Sequence, residues 1–163
     1  MNRGIRNNNP LNIRRSATRW QGAREEQKDK SFVQFKSMAY GYRAAWKILQ
    51  SYYERFSRQG KPFTVRNIIS RWAPPTENDT EAYIIGVLKL GSLGGKEKLL
   101  PPSNASGYRR LSRMIAAMTT IECGIPFGQV DMEAVYQGYL LAFPKNKEKL
   151  EEWLNGEDEY FDW

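Results

Sequence analysis

The sequence contains no histidine and a single cysteine, Cys123. Without imidazole, Ser-His-Asp and Cys-His catalysis are excluded, and a zinc site loses its commonest ligand. One thiol cannot close an internal disulfide, so the fold must stand on packing rather than on cross-links. No stretch approaches the ~18 consecutive apolar residues of a membrane span. The opening segment Met1–Asn9 is polar, carries Arg3 and Arg6, and leads into no apolar run of the kind a secretory signal has. The expectation is therefore synthesis in the cytoplasm, with any action outside it dependent on another route of release. Proton transfer near neutral pH falls to carboxylates, lysine, tyrosine or the lone thiol.

What is present suits one compact domain. The chain has 163 residues, of which 40% are hydrophobic, enough for a single core and too few for two. The net charge of +7 is uneven. The segment Glu148–Trp163 holds seven acids and one base, Lys149, so residues 1–147 carry 24 bases against 11 acids. This divides the chain into a domain at 1–147 and an acidic aromatic tail at 148–163, whose end, 155–163, fits folding back on the basic body, docking a partner, or disorder. A basic body points to an anionic partner, such as nucleic acid, a membrane surface or a cell-wall polymer. It also fits a surface that serves solubility alone.

Periodicity predicts a mainly α domain. Residues 1–30 read as loop, with a turn at Asn7-Asn8-Asn9-Pro10. The alternating run Ser31–Phe35 reads as a short strand, part of a β-hairpin or irregular element near 20–36. Helices are expected at about 39–56, at 65–71 behind Thr64, from Asn78-Asp79-Thr80 through Leu88, at 108–122, at 132–143 behind Asp131, and at 145–154.

Three constellations carry candidate chemistry. Glu122 ends the apolar helical stripe Leu111, Met114, Ile115, Met118, Ile121. A helix C-terminus disfavours the carboxylate, and apolar neighbours desolvate it, so both effects raise its pKa. A carboxyl kept protonated in this way is what a glycosidase uses as general acid. The same residue also fits a solvated helix end. The loop Trp72–Tyr83 is rigid and polar, suited to placing groups in a sugar groove, and equally to capping a helix. Asn7–Arg14 with Trp20-Gln21-Gly22 offers amides for sugar hydroxyls and a ring for a pyranose face, and equally Asx-turns and a core tryptophan. Cys123 sits at the wrong end of its helix for an activated thiolate.

Asn12-Ile13-Arg14, Trp20-Gln21-Gly22, Phe32-Val33-Gln34-Phe35 and Tyr42-Arg43-Ala44 resemble, in order and spacing, the region after the catalytic helix of bacterial β-N-acetylglucosaminidases of the flagellar muramidase type. Trp72-Ala73-Pro74, Asn78-Asp79-Thr80 and Tyr83-Ile84 are similar to a later segment of that family. The N-terminal half also looks like phage and mobile-element lysozyme-like proteins. The resemblance covers roughly half of the chain. It implies a lysozyme-like domain that cleaves peptidoglycan glycan strands as a muramidase, glucosaminidase or lytic transglycosylase, without metal or organic cofactor. It implies a groove lined by Asn9, Asn12, Trp20, Thr80 and Tyr83. In that superfamily the helix bearing the catalytic glutamate comes first, whereas here the matching helix end, Ile121-Glu122-Cys123-Gly124, lies downstream. A circularly permuted order would bring Glu122 beside Asn9 and Asn12. Glu77 is the alternative acid. Glu25, Glu26 and Asp29 map onto the family's acidic hairpin as candidates for a second one. Two other classes compete: a catalytically silent wall-binding or virion structural protein, and a nucleic-acid binder using Tyr52, Tyr53, Arg55 and Arg58.

Overall fold

A computed structural model describes residues 1–156; the end of the acidic tail, 157–163, lies outside the described residues. Seven α-helices are found among them: α1 Arg3–Arg6, α2 Met38–Arg58, α3 Val65–Trp72, α4 Thr80–Gly91, α5 Tyr108–Cys123, α6 Met132–Ala142 and α7 Lys147–Asn155. The fold is mainly α, as the periodicity predicts. The expected start signals act through their side chains. Thr64 accepts from the Asn67 amide, Asp79 from Ala82 and Asp131 from Ala134, so each occupies an N–H that the first turn leaves unpaired. At the other end of α5, Gly124 takes φ +70, the left-handed conformation that closes the helix.

Helix α5 lies at the centre. Leu111, Met114, Ile115, Ala116, Ala117 and Met118 are all buried, so the helix is enclosed on every side through its middle turns. Helices α2 and α6 pack on each other closely. Trp46 on α2 donates from Nε1 to the Val135 carbonyl at 3.1 Å. Its ring stacks on Tyr108 at 5.5 Å and meets Tyr139 edge-on at 4.9 Å. The Tyr42 hydroxyl and Thr119 Oγ1, 3.0 Å apart and buried, join α2 to α5. The close α2–α6 approach depends on Gly138, where a Cβ would stand 2.8 Å from both the Ala39 carbonyl oxygen and the Arg43 amide nitrogen. Helix α7 spans the expected boundary at 147, and its Leu150 is fully buried in the core.

The N-terminal third departs from expectation in two places. Residues 1–30 are not loop throughout, because Asn2 caps the one-turn helix α1 through a bond from the Gly4 amide. The strand expected at Ser31–Phe35 does not form. Two isolated antiparallel bridges, Arg14 with Phe32 and Ala23 with Phe35, stand in its place. The alternation is real, since Val33 and Phe35 are buried, but the backbone partners are scattered. Val33 donates to Ile13, Phe35 to Asn7 and Lys36 to Gly22, so no single neighbour runs alongside for a ladder.

One side chain gathers these segments. Asn9 is fully buried; its Oδ1 accepts from the Ile13 amide at 2.8 Å, and its Nδ2 donates to the carbonyls of Ile13 and Val33 at 2.9 Å each. The expectation that Asn9 lines a groove is therefore corrected. Its amide is used up on three backbone groups that would otherwise be buried without partners.

Two outcomes follow for stability, both readable from urea midpoints. Gly138→Ala gains up to about 1 kcal/mol of helix propensity. The new methyl would meet backbone of α2, and overpacking of that kind costs about 1–3 kcal/mol, so a net loss is expected. Asn9→Ala strands one donor and two acceptors at about 1–3 kcal/mol each if buried, so a loss of about 3 kcal/mol or more is expected, with no cavity of comparable size to explain it.

Candidate active site

Where the irregular N-terminal third meets α2, α3 and the end of α5, the surface opens into a groove of about 410 Å³. One wall is Leu11–Arg14 with Ser16, Trp20 and Phe32; the other is Trp72, Ala73, Glu77 and Asn78. Ile48 and Tyr52 of α2 and Glu122 of α5 complete the lining. Two acids line it among the described residues, Glu122 and Glu77.

Glu122 is half-buried in the last turn of α5. Burial pushes its pKa above the ordinary carboxylate value, while the Asn12 amide and the positive charge of Arg14 pull the other way. Asn12 Nδ2 lies 3.5 Å from Glu122 Oε2, a long contact between residues far apart in sequence. Asn12 reaches this place from a left-handed backbone, φ +53, a conformation that asparagine tolerates better than most residues. Its Oδ1 is buried without a hydrogen-bond partner. The Trp20 Nε1 is in the same condition. Both atoms are shut off from solvent, and the Asn12 Oδ1 faces inward, where a Cβ added at Gly4 would stand 3.0 Å from it.

The remaining candidates divide. Tyr83 does not line the groove. It is buried, its hydroxyl lacks a partner, and its pKa is raised by burial and then by the charges of Glu122 and Cys123, which places it behind the acid. Thr80 is likewise absent from the groove, because its hydroxyl donates to the Ala73 carbonyl at the turn into α4. Asp29 is held by Arg3, with Nε–Oδ2 and Nη2–Oδ1 both 2.7 Å, by Asn7 Nδ2, and by the amides of Ser31 and Phe32. These donors hold its carboxyl far below the ordinary range, so it is a fixed anion that shapes the loop. Glu25 and Glu26 are exposed and lie outside the groove. Cys123 is buried, its thiol donates to the Pro10 carbonyl at 3.1 Å, and burial pushes its pKa to about 11, which leaves it unreactive at neutral pH.

Sequence reasoning missed Arg14, Phe32, Ile48, Tyr52 and Trp72 as individual groove residues. Ile48 and Tyr52 carried a usable signal. They sit four apart on the edge of the α2 apolar stripe, where burial is incomplete. Phe32 is set between two cations, with Arg3 4.6 Å and Arg14 5.8 Å from its ring centre, an arrangement no spacing rule announces. Among the described residues no group of three or more Asp, Glu, Cys or His side chains is close enough to hold a metal ion, and no helix is long and apolar enough to cross a membrane.

An aromatic-lined groove with a desolvated acid in its lining can accept an extended chain with apolar faces and polar edges, and can deliver a proton to it. No family model matches the sequence. Over 125 residues, 75% of this chain and 71% of the relative's length, it is 39% identical to Protein P5 of Pseudoalteromonas phage PM2. At that identity and coverage, the chain belongs to the family of this phage protein.

Proposed function

We propose that the protein cleaves peptidoglycan glycan strands, with Glu122 as the general acid. The observation that carries the reading is the setting of Glu122: a half-buried carboxyl, its pKa raised by desolvation, lining one groove with Asn12, Trp20 and Trp72. Aromatic faces stack on sugar rings, and amides bond their hydroxyls. The acid protonates the glycosidic oxygen between N-acetylmuramic acid and N-acetylglucosamine, and the C1–O bond breaks as positive charge develops on the ring. Asn12 orients the carboxyl. The meeting of the Asn12 wall with the α5 end supports the permuted lysozyme-like order that the resemblance implies. Kinship with a phage protein accords with action at a host envelope, which a phage must cross.

Two routes complete the reaction. Glu77, which lines the same groove, can take a proton from an attacking water, giving reducing ends. In the absence of that step, the muramic acid's own hydroxyl attacks C1 and gives its proton to the Glu122 carboxylate left by the first step, giving anhydro ends, so that one acid suffices. Asp29 is unsuited to either, since it is engaged by Arg3 and Asn7.

Mass spectrometry of fragments from purified sacculi tests the reading. Glu122→Gln is expected to lower release at least about 10²-fold, the lower range for loss of a general acid; unchanged release would refute the role, and release of nothing by wild type would refute the activity. Glu77→Gln separates the routes, since it stops only the hydrolytic one. The rate should fall with rising pH along a limb displaced above the ordinary carboxylate range. Stability has a matching sign. Between the ordinary carboxylate pKa and the raised one, the folded chain holds a proton that the unfolded chain releases, so Glu122 costs stability as pH rises through that window. Glu122→Gln removes the cost, and its Tm advantage over wild type should grow as pH rises from the ordinary carboxylate pKa through the raised one and then level off.

A further inference from the structure

Tyr52 lines a second hollow as well, of about 560 Å³, together with Phe56, Gln59, Lys61, Ser70, Arg71 and Pro74. The two hollows share Tyr52, and the turn Trp72-Ala73-Pro74 forms the step between them. Their chemistry differs. The first holds Glu122 and Glu77, whereas the second holds two cations and no acid.

Those cations are fixed by aromatic faces. The Arg71 guanidinium stands 5.3 Å from the centre of the Tyr52 ring, and the Lys61 ammonium 5.2 Å from that of Phe56. Neither has a carboxylate within ion-pair distance among the described residues, unlike Arg3, Arg66 and Arg110, which pair with Asp29, Glu81 and Glu97. Both side chains are exposed. Stacked, unpaired and pointed at one hollow, they form a receptor for carboxylate groups.

We propose that this second hollow binds the peptide stem of the glycan strand through its free carboxylates, with Arg71 and Lys61 as the contacts and Tyr52 dividing sugar from peptide. The inference rests on the groove's being a site for peptidoglycan strands. The sugars are uncharged, and the anionic groups hang from the lactyl ether on every second ring. A chain seated on Ile48 and Tyr52 would project such a branch over the Trp72–Pro74 step into the basic hollow.

The test uses the full chain in the Glu122→Gln background, so that binding is read without cleavage. Tryptophan fluorescence follows titration with a tetrasaccharide muropeptide and with the same muropeptide after its peptide carboxylates are converted to amides. Arg71→Gln/Lys61→Gln is expected to weaken binding of the native muropeptide about tenfold and to leave the amidated form unchanged. The single variants should each give part of the loss. Equal losses on both ligands, or none on either, would overturn the proposal. So would tighter Arg71-dependent binding of a DNA duplex than of the muropeptide, which would mark a nucleic-acid surface. A charge-dependent loss together with no release of fragments by wild type would keep this subsite and sink the catalytic role. Failure of every glycan to bind would remove both. The double variant's Tm should match that of the Glu122→Gln background, since both side chains are exposed; if it falls, the single variants carry the comparison.

Discussion

The buried amide of Asn9 is the contact on which the groove depends. An irregular stretch of chain has no ladder to satisfy its backbone, and folding it against a helical body would leave several N–H and C=O groups in apolar surroundings. Asn9 meets three of them at once, two on Ile13 and one on Val33. Doing so fixes the turn from Asn9 to Ile13, and that turn sets Asn12 in its left-handed conformation with its amide toward Glu122. Asp29 performs a similar service from the other side, joining Arg3 and Asn7 to the amides of Ser31 and Phe32. The wall beside the acid is thus built from backbone held by side chains, not from regular secondary structure.

The acid is governed by a balance of unequal effects. Desolvation is the largest influence on Glu122 and favours its neutral form; Asn12 and Arg14 favour the charged one but act at a long contact and from a solvent-exposed position. Asp29 shows the reverse balance, where several short donors overwhelm any cost of burial. Two carboxylates of one chain are thereby driven in opposite directions, one toward holding its proton and one toward losing it. That division separates a group able to donate from a group that only shapes the loop.

The helices were largely legible from the sequence because their signals are local. Thr64, Asp79 and Asp131 cap the elements they precede, and Gly124 closes α5 where its position after the apolar stripe indicates. The strand at Ser31–Phe35 was misread because alternation reports burial, not pairing, and the partners of that segment come from three different places. Among site residues, Glu122, Asn12 and Trp20 were found where the groove is, but Asn9 and Thr80 were not. An asparagine or threonine beside a turn has the same sequence whether it faces a ligand or its own backbone; only burial and geometry decide, and here both turn inward. Ile48 and Tyr52 were hidden by the opposite ambiguity, since apolar residues on a helix stripe read as core until the neighbouring elements leave them half-covered.

The groove draws on residues from Leu11 to Glu122, and the two that meet in it, Asn12 and Glu122, are joined by no local segment. In folding terms this is a contact of high sequence separation, and forming it needs the packing of α2 through α5 between its ends. The wall itself is seated on α5, since the Cys123 thiol donates to the Pro10 carbonyl. A ribosome-bound chain that ends at α4 therefore lacks both the acid and the helix the wall rests on, and no continuous fragment shorter than Leu11–Glu122 contains the whole site.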